Sequence, residues 1–510
     1  MSRSRARKNR RRAARGRAKA VGGVAAIVVA ALTGYAALDA LDAVPGVLTV
    51  VPTSGGSPAP ALSGTPPRAL DIAELNSNAP VPKKIAPVVD KASKDSGFKG
   101  KAGIDIRDAE TGEVLYTKDA GADRTPASVT KVLTSAAALG ALGADHTFTT
   151  SARLDSTEGT SAALALVGGG DVMLGKGESN PDAVNGRAGL GTLADDTARE
   201  LKKRGVDTVE VYADVSRYIG PRFSKDWDRD DIEYGFITNM DPLMVSMGSK
   251  TGEYKAPRTP EPARDALRDF ADALTDKGLK VDIRNPDVQT EPPAEQAAPL
   301  HADGTGDDGS DNGSEDKKGD GAGAHQGPAI IAEVQSAPVS SLVRHALQHS
   351  DNIVSEALGR EVSLARGAEG SGSSAAAEVL QQLADMNVDT GSISLHDTSG
   401  LSYKNRISPH DLTGIVVAAA QSDDSLSQLI PSMPVGGLNG TLIYRYAEGG
   451  AAGKVSAKTG TLATVASLSG TVLTADGRLL AFSMMTEGGV GSARQAIDEA
   501  VTGLSKCGCR

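Results

Sequence analysis

The chain has 510 residues, of which 39% are hydrophobic and 3% aromatic, and its formal net charge at pH 7 is −10. A chain of this length and hydrophobic content can bury at least one sizeable core, which excludes a small peptide hormone or a fibre. Ten Arg or Lys residues lie between Arg3 and Lys19, so the remainder is strongly acidic, which argues against nucleic acid as a partner.

The N-terminal segment, residues 1–45, predicts export. An uncharged, Ala- and Gly-rich stretch from Ala20 to Leu38 follows the basic run and is just long enough to cross a bilayer as a helix. Cationic residues on its N-terminal side predict that everything after Asp39 lies outside the cytoplasm. A small-x-small site at 34–36 also fits a cleaved signal peptide, although a membrane anchor is favoured. Both alternatives place the folded part in the cell envelope or outside the cell.

Composition divides the rest of the chain. Residues 46–82, rich in Pro, Ser, Gly and Ala, predict a flexible linker, and residues 285–328, rich in Asp, Gly, Glu and Ser, predict a disordered acidic loop. Between these two stretches we expect a first folded part at 83–146 and inserted structure at 147–284. A second folded part is expected at 329–505, followed by a short tail, 506–510. That tail carries the only cysteines, Cys507 and Cys509, which are too close to cross-link distant segments.

Hydrophobic periodicity places helices and strands along these parts. Alternating residues around Glu110-Thr111-Gly112 predict a hairpin, and apolar residues at helical spacing predict a helix over 126–142. Strands are predicted at 163–167 and 209–213 and helices at 263–277, 339–348 and 353–365. Three strands at 455–461, 466–473 and 479–486 and a closing helix at 493–504 complete a mixed α/β chain, with an antiparallel sheet flanked by helices.

The first chemical motif is a serine and a lysine one helical turn apart, Ser128 and Lys131. Both side chains project from one face of the predicted helix, so the amine can reach the hydroxyl. A Ser hydroxyl becomes a nucleophile when a base removes its proton, and a Lys can do so when burial or a nearby cation, such as Lys458, lowers its pKa. Ser-x-x-Lys arises by chance about once or twice in a chain of this length. The second copy, Ser96 to Lys99, lacks a helical apolar face.

Two further motifs are expected to meet the first. Ser350-Asp351-Asn352 lies between two predicted helices, where short polar side chains can cap a helix and face a cleft. Lys458, Thr459 and Gly460 are followed by Thr461 on a predicted strand, where the glycine admits a substrate backbone and the polar groups can hold a carboxylate. Rival copies at 310–312 and 250–252 lie in the acidic loop and in a polar stretch, respectively.

In this order the three motifs are similar to the signature set of penicillin-recognising serine enzymes. Because 222 residues separate Ser128 from Ser350, the chain resembles class C low-molecular-mass penicillin-binding proteins, the S13 peptidase family of D-Ala-D-Ala carboxypeptidase/endopeptidases. Members of that family carry two extra domains inserted at this point of a penicillin-binding transpeptidase/β-lactamase-like domain. Other segments similar to the family's sequences lie at 166–171, 336–339, 397–406 and 434–442.

The resemblance implies a role for each candidate residue. Ser128 would form an acyl-enzyme with Lys131 as general base, and Asn352 would orient Lys131 and the substrate amide. Ser350, helped by Lys458, would relay a proton to the leaving amine. Thr459 and Thr461, beside Gly460, would bind the terminal carboxylate of a peptidoglycan peptide ending in D-Ala-D-Ala. β-Lactams would acylate the same serine, and neither a metal nor an organic cofactor is implied.

Two alternatives remain open at this stage. A β-lactamase or esterase could use the same scaffold, and a catalytically silent cell-wall-binding protein could retain it. A zinc site at His345 and His349 is disfavoured, because no Glu follows the first His as it does in zincins.

Overall fold

A computed structural model describes residues 82–93, 98, 101–253, 255–284, 328–488 and 490–508. The predicted N-terminal membrane segment, the linker up to residue 81 and the acidic loop at 285–327 lie outside the described residues. In the described part of the chain, no helix combines the length and the apolar character that a bilayer span requires.

The first sheet is antiparallel and has the strand order β2-β1-β10-β9-β8. Its strands are β1 Lys101–Asp108, β2 Val114–Lys118, β8 Val455–Leu462, β9 Val465–Leu473 and β10 Leu479–Glu487. The N-terminal hairpin therefore joins the three C-terminal strands through β1 and β10, with Asp105 opposite Ser483. The central strands β9 and β10 are buried along almost their whole length because helices cover both faces. The two edge strands are β2 and β8, and β8 carries Lys458.

Helices form a layer on each side of this sheet. On one side lie α1 Pro82–Ser93 and α10 Val490–Lys506, which share a core with the inward side chains of the sheet. A larger helical group lies on the other side: α2 Thr130–Leu142, α5 Val339–His349, α6 Asn352–Ala365, α7 Gly372–Asp385, α8 Pro409–Gln421 and the single-turn α9 Leu429–Ser432. The most central of these is α2, since residues 130–139 are all buried.

The second sheet has the order β6-β5-β4-β3-β7 and lies within the long interval between Ser128 and Ser350. Its strands are β3 Thr149–Glu158, β4 Ser161–Val167, β5 Thr208–Asp214, β6 Lys280–Ile283 and β7 Ala329–Gln335. Two helices, α3 Leu190–Lys203 and α4 Pro262–Asp276, connect its parallel strands and bury a separate core against them.

The last strand of this sheet follows the acidic loop along the chain. Pairing with β3 places Thr149 opposite Gln335, and Ala332 and Val334 point into the second core. The second sheet thus extends to Gln335, past position 329, where the sequence indicated a return to the first folded unit. Residues 215–248, by contrast, leave the second sheet and contribute Phe223, Trp227 and several Met and Ile side chains to the core around α2.

Candidate active site

Ser128 lies in a tight turn directly before α2. The turn is a 3-10 helix, Ala127–Val129, and the α-helix begins only at Thr130, so the sequence-based start of the helix at 126 is four residues early. Ala127 adopts a left-handed φ of 52°, and its carbonyl accepts a hydrogen bond from Thr130 Oγ1 at 2.9 Å. Ser128 itself is half-buried, which leaves its hydroxyl accessible from one side.

Lys131 is completely buried one turn further on and makes three short contacts through its amine. Nζ lies 3.2 Å from Ser128 Oγ, 2.6 Å from Asn352 Oδ1 and 2.6 Å from the carbonyl oxygen of Ser399. Burial lowers the pKa of Lys131 to about 8, against the opposing effect of the negative charges on Asp397, Asp351 and Glu356. Near neutral pH this amine therefore exists in part as the unprotonated base.

The Ser350-Asp351-Asn352 motif turns the chain from α5 into α6. Ser350 is the C-cap of α5 in the left-handed conformation, and Asp351 caps α6 by accepting a hydrogen bond from the backbone N–H of Val354 at 2.9 Å. Asn352 Nδ2 donates to the carbonyl oxygen of Phe236 at 3.0 Å. That bond fixes the side-chain amide with Oδ1 towards Lys131. Two of the predicted motifs therefore meet in a direct contact.

Lys458 brings the third motif to the same place. Its side chain is fully buried, and Nζ donates to Ser350 Oγ at 2.9 Å and to the Thr459 carbonyl oxygen at 2.7 Å. Gly460 allows β8 to approach the serine turn closely, because a Cβ there would lie 2.6 Å from the Pro126 carbonyl oxygen. Thr459 is half-buried with Oγ1 bonded to Thr441 Oγ1 at 3.0 Å, whereas Thr461 is exposed.

Both buried amines have a lowered pKa, and burial is the largest cause for each of them. Burial holds the pKa of Lys458 well below its usual value, and the positive charge of Lys131 lowers it further. The sequence left burial and a nearby cation as alternative causes of a lowered Lys131 pKa, and burial is the largest cause in the folded protein.

A buried turn around Asp397 supplies a contact that the motifs did not predict. Its carboxylate accepts hydrogen bonds from Trp227 Nε1 at 2.9 Å, the Gly400 N–H at 2.8 Å, the Ser402 N–H at 2.6 Å and Asn405 Nδ2 at 2.7 Å. These bonds fix the Ser399 carbonyl that faces Lys131. The family resemblance includes this stretch, but a backbone carbonyl leaves no residue-type signal from which its role could be read.

The rival motifs lie elsewhere. Lys250 is partly exposed and pairs with Glu233 at 2.9 Å, away from any strand. Ser96 and Lys99 of the second rival, and the third rival at 310–312, lie outside the described residues. The rings of His345 and His349 are in contact at a tilt of 44° with centroids 4.7 Å apart, and His345 Nε2 lies 3.6 Å from Asp351 Oδ2. Within the described ranges, His, Cys, Asp and Glu side chains form no group of three or more suited to a metal ion.

Known proteins are similar to this chain in sequence and in fold. A carboxypeptidase, DacB, of Mycolicibacterium smegmatis is 31% identical over 95% of both chains. A D-alanyl-D-alanine carboxypeptidase of Actinomadura sp. is 30% identical over 81% of this chain and 82% of its own. The crystal structure of penicillin-binding protein 4 from Haemophilus influenzae matches with a TM-score of 0.62 at 19% identity, covering 82% of this chain and 98% of that one.

The family match covers both parts of the chain that form the site. The D-Ala-D-Ala carboxypeptidase 3 (S13) family matches residues 86–275 and 318–506, which include all three motifs. The mixed α/β fold inferred from the sequence is confirmed by the likeness to penicillin-binding protein 4. The chain therefore belongs to the D-Ala-D-Ala carboxypeptidase 3 (S13) family of serine peptidases.

Proposed function

We propose that this protein hydrolyses the peptide bond between the last two D-Ala residues of peptidoglycan stem peptides, or the equivalent cross-link bond, through an acyl-enzyme on Ser128. The supporting observation is the set of three contacts around Lys131 Nζ. A neutral amine has two N–H donors and one lone pair. Asn352 Oδ1 and the Ser399 carbonyl can only accept, so they take the two N–H groups and leave the lone pair for the Ser128 proton.

Acylation follows from these positions. Ser128 Oγ attacks the carbonyl carbon and passes its proton to Lys131, and the developing oxyanion is held by the backbone N–H groups of Ser128 and Thr461. Each such donor is typically worth about 3 kcal/mol in the transition state. The C–N bond then breaks, and the leaving amine takes the hydroxyl proton of Ser350. Ser350 is reprotonated by the proton that Lys131 took from Ser128, so Lys131 is neutral again before deacylation. Because Lys458 donates to Ser350 Oγ, the Ser350 hydroxyl proton can point towards the leaving group.

Deacylation uses the same groups with water as the nucleophile. Water attacks the ester carbonyl, Lys131 takes one of its protons, and Ser128 recovers a proton as the C–O bond breaks. The products are the shortened peptide, which carries the new carboxylate, and free D-Ala or the amine-side peptide. Thr459 and Thr461, on the edge strand β8, would hold the carboxylate of the leaving residue through their hydroxyls.

β-Lactams are expected to acylate the same serine. A family relative from Haemophilus influenzae, penicillin-binding protein 4, has been crystallised with a β-lactam, with a TM-score of 0.56 to this chain at 19% identity. A β-lactam presents a strained amide and a carboxylate, so it would be opened by Ser128 while Thr459 and Thr461 hold its carboxylate. No amine then leaves the site, so hydrolysis of the adduct is expected to be slow.

The substrate implies work outside the cytoplasm, in the bacterial cell envelope. The basic run that ends at Lys19 and the uncharged stretch from Ala20 to Leu38 support an N-terminal membrane anchor or a signal peptide. Either would deliver the folded part to the cell wall, where peptidoglycan is exposed.

Mass spectrometry of the purified protein tests the function. Incubation with penicillin should give a covalent adduct on the tryptic peptide that contains Ser128, and a D-Ala-D-Ala-ended peptide should release D-Ala. Lys458→Ala should lose most of this activity, whereas Lys250→Ala, in the rival motif, should keep it. Absence of both the adduct and D-Ala release would exclude the enzyme. Rapid turnover of penicillin would instead indicate a β-lactamase.

A further inference from the structure

A cavity of about 710 Å³ lies next to the turn that supports the candidate active site, since Asp397 is part of its wall. The other walls come from α6, from the start of α7 and from residues 221–229. None of the candidate catalytic side chains lines it: Ser128, Lys131, Ser350, Asn352 and Lys458. Its volume is typical of a pocket for a small organic molecule.

Arg360 lines this cavity from α6, and the protein uses only part of its guanidinium. The residue is buried, with 3% of its surface exposed. Nη1 donates to the carbonyl oxygen of Glu356 at 3.1 Å and to Glu356 Oε2 at 3.2 Å, and the guanidinium lies 5.7 Å from the centre of the Tyr218 ring. Within the described ranges, no acceptor bonds to Nε or Nη2. A buried guanidinium with unused N–H groups favours an anionic partner.

The start of α7 lies against the same guanidinium. A Cβ at Gly372, the first residue of α7, would lie 3.1 Å from Arg360 Nη2. Gly372 and Ser373 both line the cavity. The first N–H groups of a helix have no acceptor within the helix, and the helix dipole places partial positive charge there. Arg360 and the start of α7 therefore form one anion-binding arrangement in the cavity wall.

The acidic side chains that line the cavity are already paired. Asp397 accepts four hydrogen bonds, as described above. Glu356 accepts a bond from the Thr398 N–H through Oε1 at 2.9 Å, in addition to its bond from the guanidinium. Asp226 pairs with Lys404 at 2.5 Å. These carboxylates have little remaining capacity for a cationic ligand.

Two exposed cations and an apolar wall complete the cavity. Lys225 and Arg229 line it, and neither pairs with a carboxylate in the part of the chain that the structure describes. The guanidinium of Arg229 lies 4.2 Å from the centre of the Phe223 ring. Phe223 and Trp227 pack edge to face with ring centroids 5.2 Å apart. The cavity thus combines unused positive charge with an aromatic surface.

We propose that this cavity binds a small organic monocarboxylate with an apolar body. Its carboxylate pairs with Arg360 and the start of α7, and its apolar body contacts Phe223 and Trp227. One guanidinium can donate two parallel N–H bonds to a carboxylate. A phosphate group carries more negative charge, which Glu356 and Asp397 would repel at close range. This inference does not depend on the proposed catalytic activity.

Trp227 allows binding to be measured directly, because it is the only tryptophan and lines the cavity. At constant ionic strength, cyclohexanecarboxylate should change the fluorescence saturably, with a Kd of about 1 mM or lower. Cyclohexanecarboxamide has the same body without the charge, and acetate has the charge without the body. Each should bind at least about tenfold more weakly. Only cyclohexanecarboxylate should raise the Tm clearly at millimolar concentration.

Variants locate the binding site. Ser373→Asp places a negative charge at the second residue of α7, where an acidic side chain favours the helix, and should raise the Kd at least about tenfold. Ser340→Asp, at the second residue of α5, is the matched control and should leave the Kd unchanged. Arg360→Gln should also raise the Kd at least about tenfold, with circular dichroism to verify its fold. Thr461→Val removes a hydroxyl proposed to hold the substrate carboxylate and should leave the Kd unchanged.

The outcomes are distinct. Equal affinity for the acid and the amide would show recognition of the apolar body alone, and the proposal would then be overturned. Absence of both a saturable fluorescence change and a Tm shift would overturn it as well. A Kd that rises in Thr461→Val but not in Ser373→Asp would place the probe in the candidate active site instead. A Kd that rises in Ser373→Asp and not in Ser340→Asp supports the site, whether or not the protein hydrolyses D-Ala-D-Ala peptides.

Discussion

At the scale of single residues, the catalytic proposal depends on the proton of Lys131. An amine buried between Asn352 Oδ1 and the Ser399 carbonyl has acceptors for two N–H groups, and burial brings its pKa to about 8. A pKa below the ordinary value of 10.5 means that the folded protein releases this proton more easily than the unfolded chain. The same burial that produces a base at physiological pH therefore destabilises the folded state below pH 10.5.

The rate of acylation should follow the titration of this group. Lys131 is active when neutral, so the rate of penicillin acylation should rise with pH, fall about tenfold per pH unit below pH 8 and level off above it. Stopped-flow measurement of adduct formation between pH 5.5 and 9 would show this, with a thermal melt at each pH to exclude unfolding. Asn352→Asp places a carboxylate against the amine and should move the midpoint upwards. A midpoint that Asn352→Asp leaves unchanged would assign the titration to another group.

Sequence motifs identified the candidate reactive side chains of this site but not the residues that hold them in position. Ser128, Lys131, Ser350, Asn352 and Lys458 have side chains whose chemistry is visible in a motif, and their distances in the structure bring them to one place. The turn that holds the Ser399 carbonyl depends on Asp397 accepting four hydrogen bonds from residues as distant as Trp227. Such a contact is set by tertiary packing, which no local pattern encodes.

At the scale of elements, the turn at Gly400 packs directly against the turn that carries Ser128. Gly400 has a φ of 87°, and a Cβ there would lie 2.0 Å from the Ala127 carbonyl oxygen and 2.9 Å from Thr130 Oγ1. Both atoms are backbone or buried, so neither can move without displacing the start of α2. The position of the nucleophile relative to its base is thus set by contact between two turns.

Replacing this glycine should disable the site without unfolding the protein. Gly400→Ala should reduce the rate of penicillin acylation by at least about 100-fold, because a displacement of about 1 Å between nucleophile and base is enough for such a loss. Gly121→Ala is the matched control, since a Cβ at Gly121 has no neighbour within 4 Å. Circular dichroism would verify that both variants fold. A normal rate for folded Gly400→Ala would show that this contact does not position Ser128.

Local patterns predicted the elements that have a clear period and missed pairings between distant segments. The predicted strands and helices of the C-terminal half agree with β8 to β10, α5 and α6 within a few residues, because alternating and helical periodicities are local properties. The pairing of β7 with β3 joins residues as far apart as Thr149 and Gln335. Their register follows from which side chains enter the second core, and this became visible only in the folded chain.

At the scale of the whole molecule, the core around α2 and the second core are joined by side-chain contacts as well as by the chain itself. Residues 215–248 leave the second sheet and bury Phe223 and Trp227 in the core around α2. Arg217 Nε donates to Glu361 of α6 at 2.8 Å, and Trp227 Nε1 bonds to Asp397 beside the candidate active site. Loss of the second sheet would therefore remove part of the core around α2. It would also leave the buried Glu361 carboxylate without its Arg217 partner, and an unpaired buried charge destabilises the fold. The two sheets are expected to unfold together.

A cavity in the second core tests this coupling. Phe270 is fully buried in α4, and Phe270→Ala should lower the free energy of unfolding by about 3–5 kcal/mol. Trp227 is the only tryptophan, so its fluorescence reports on the core around α2, whereas far-UV circular dichroism reports on both sheets. In urea, both signals should shift to the same lower midpoint, and Arg268→Ala, on the exposed face of α4, should shift neither. If circular dichroism became biphasic while the Trp227 transition stayed at the wild-type midpoint, the second sheet would unfold independently. The candidate active site would then owe none of its stability to the inserted structure.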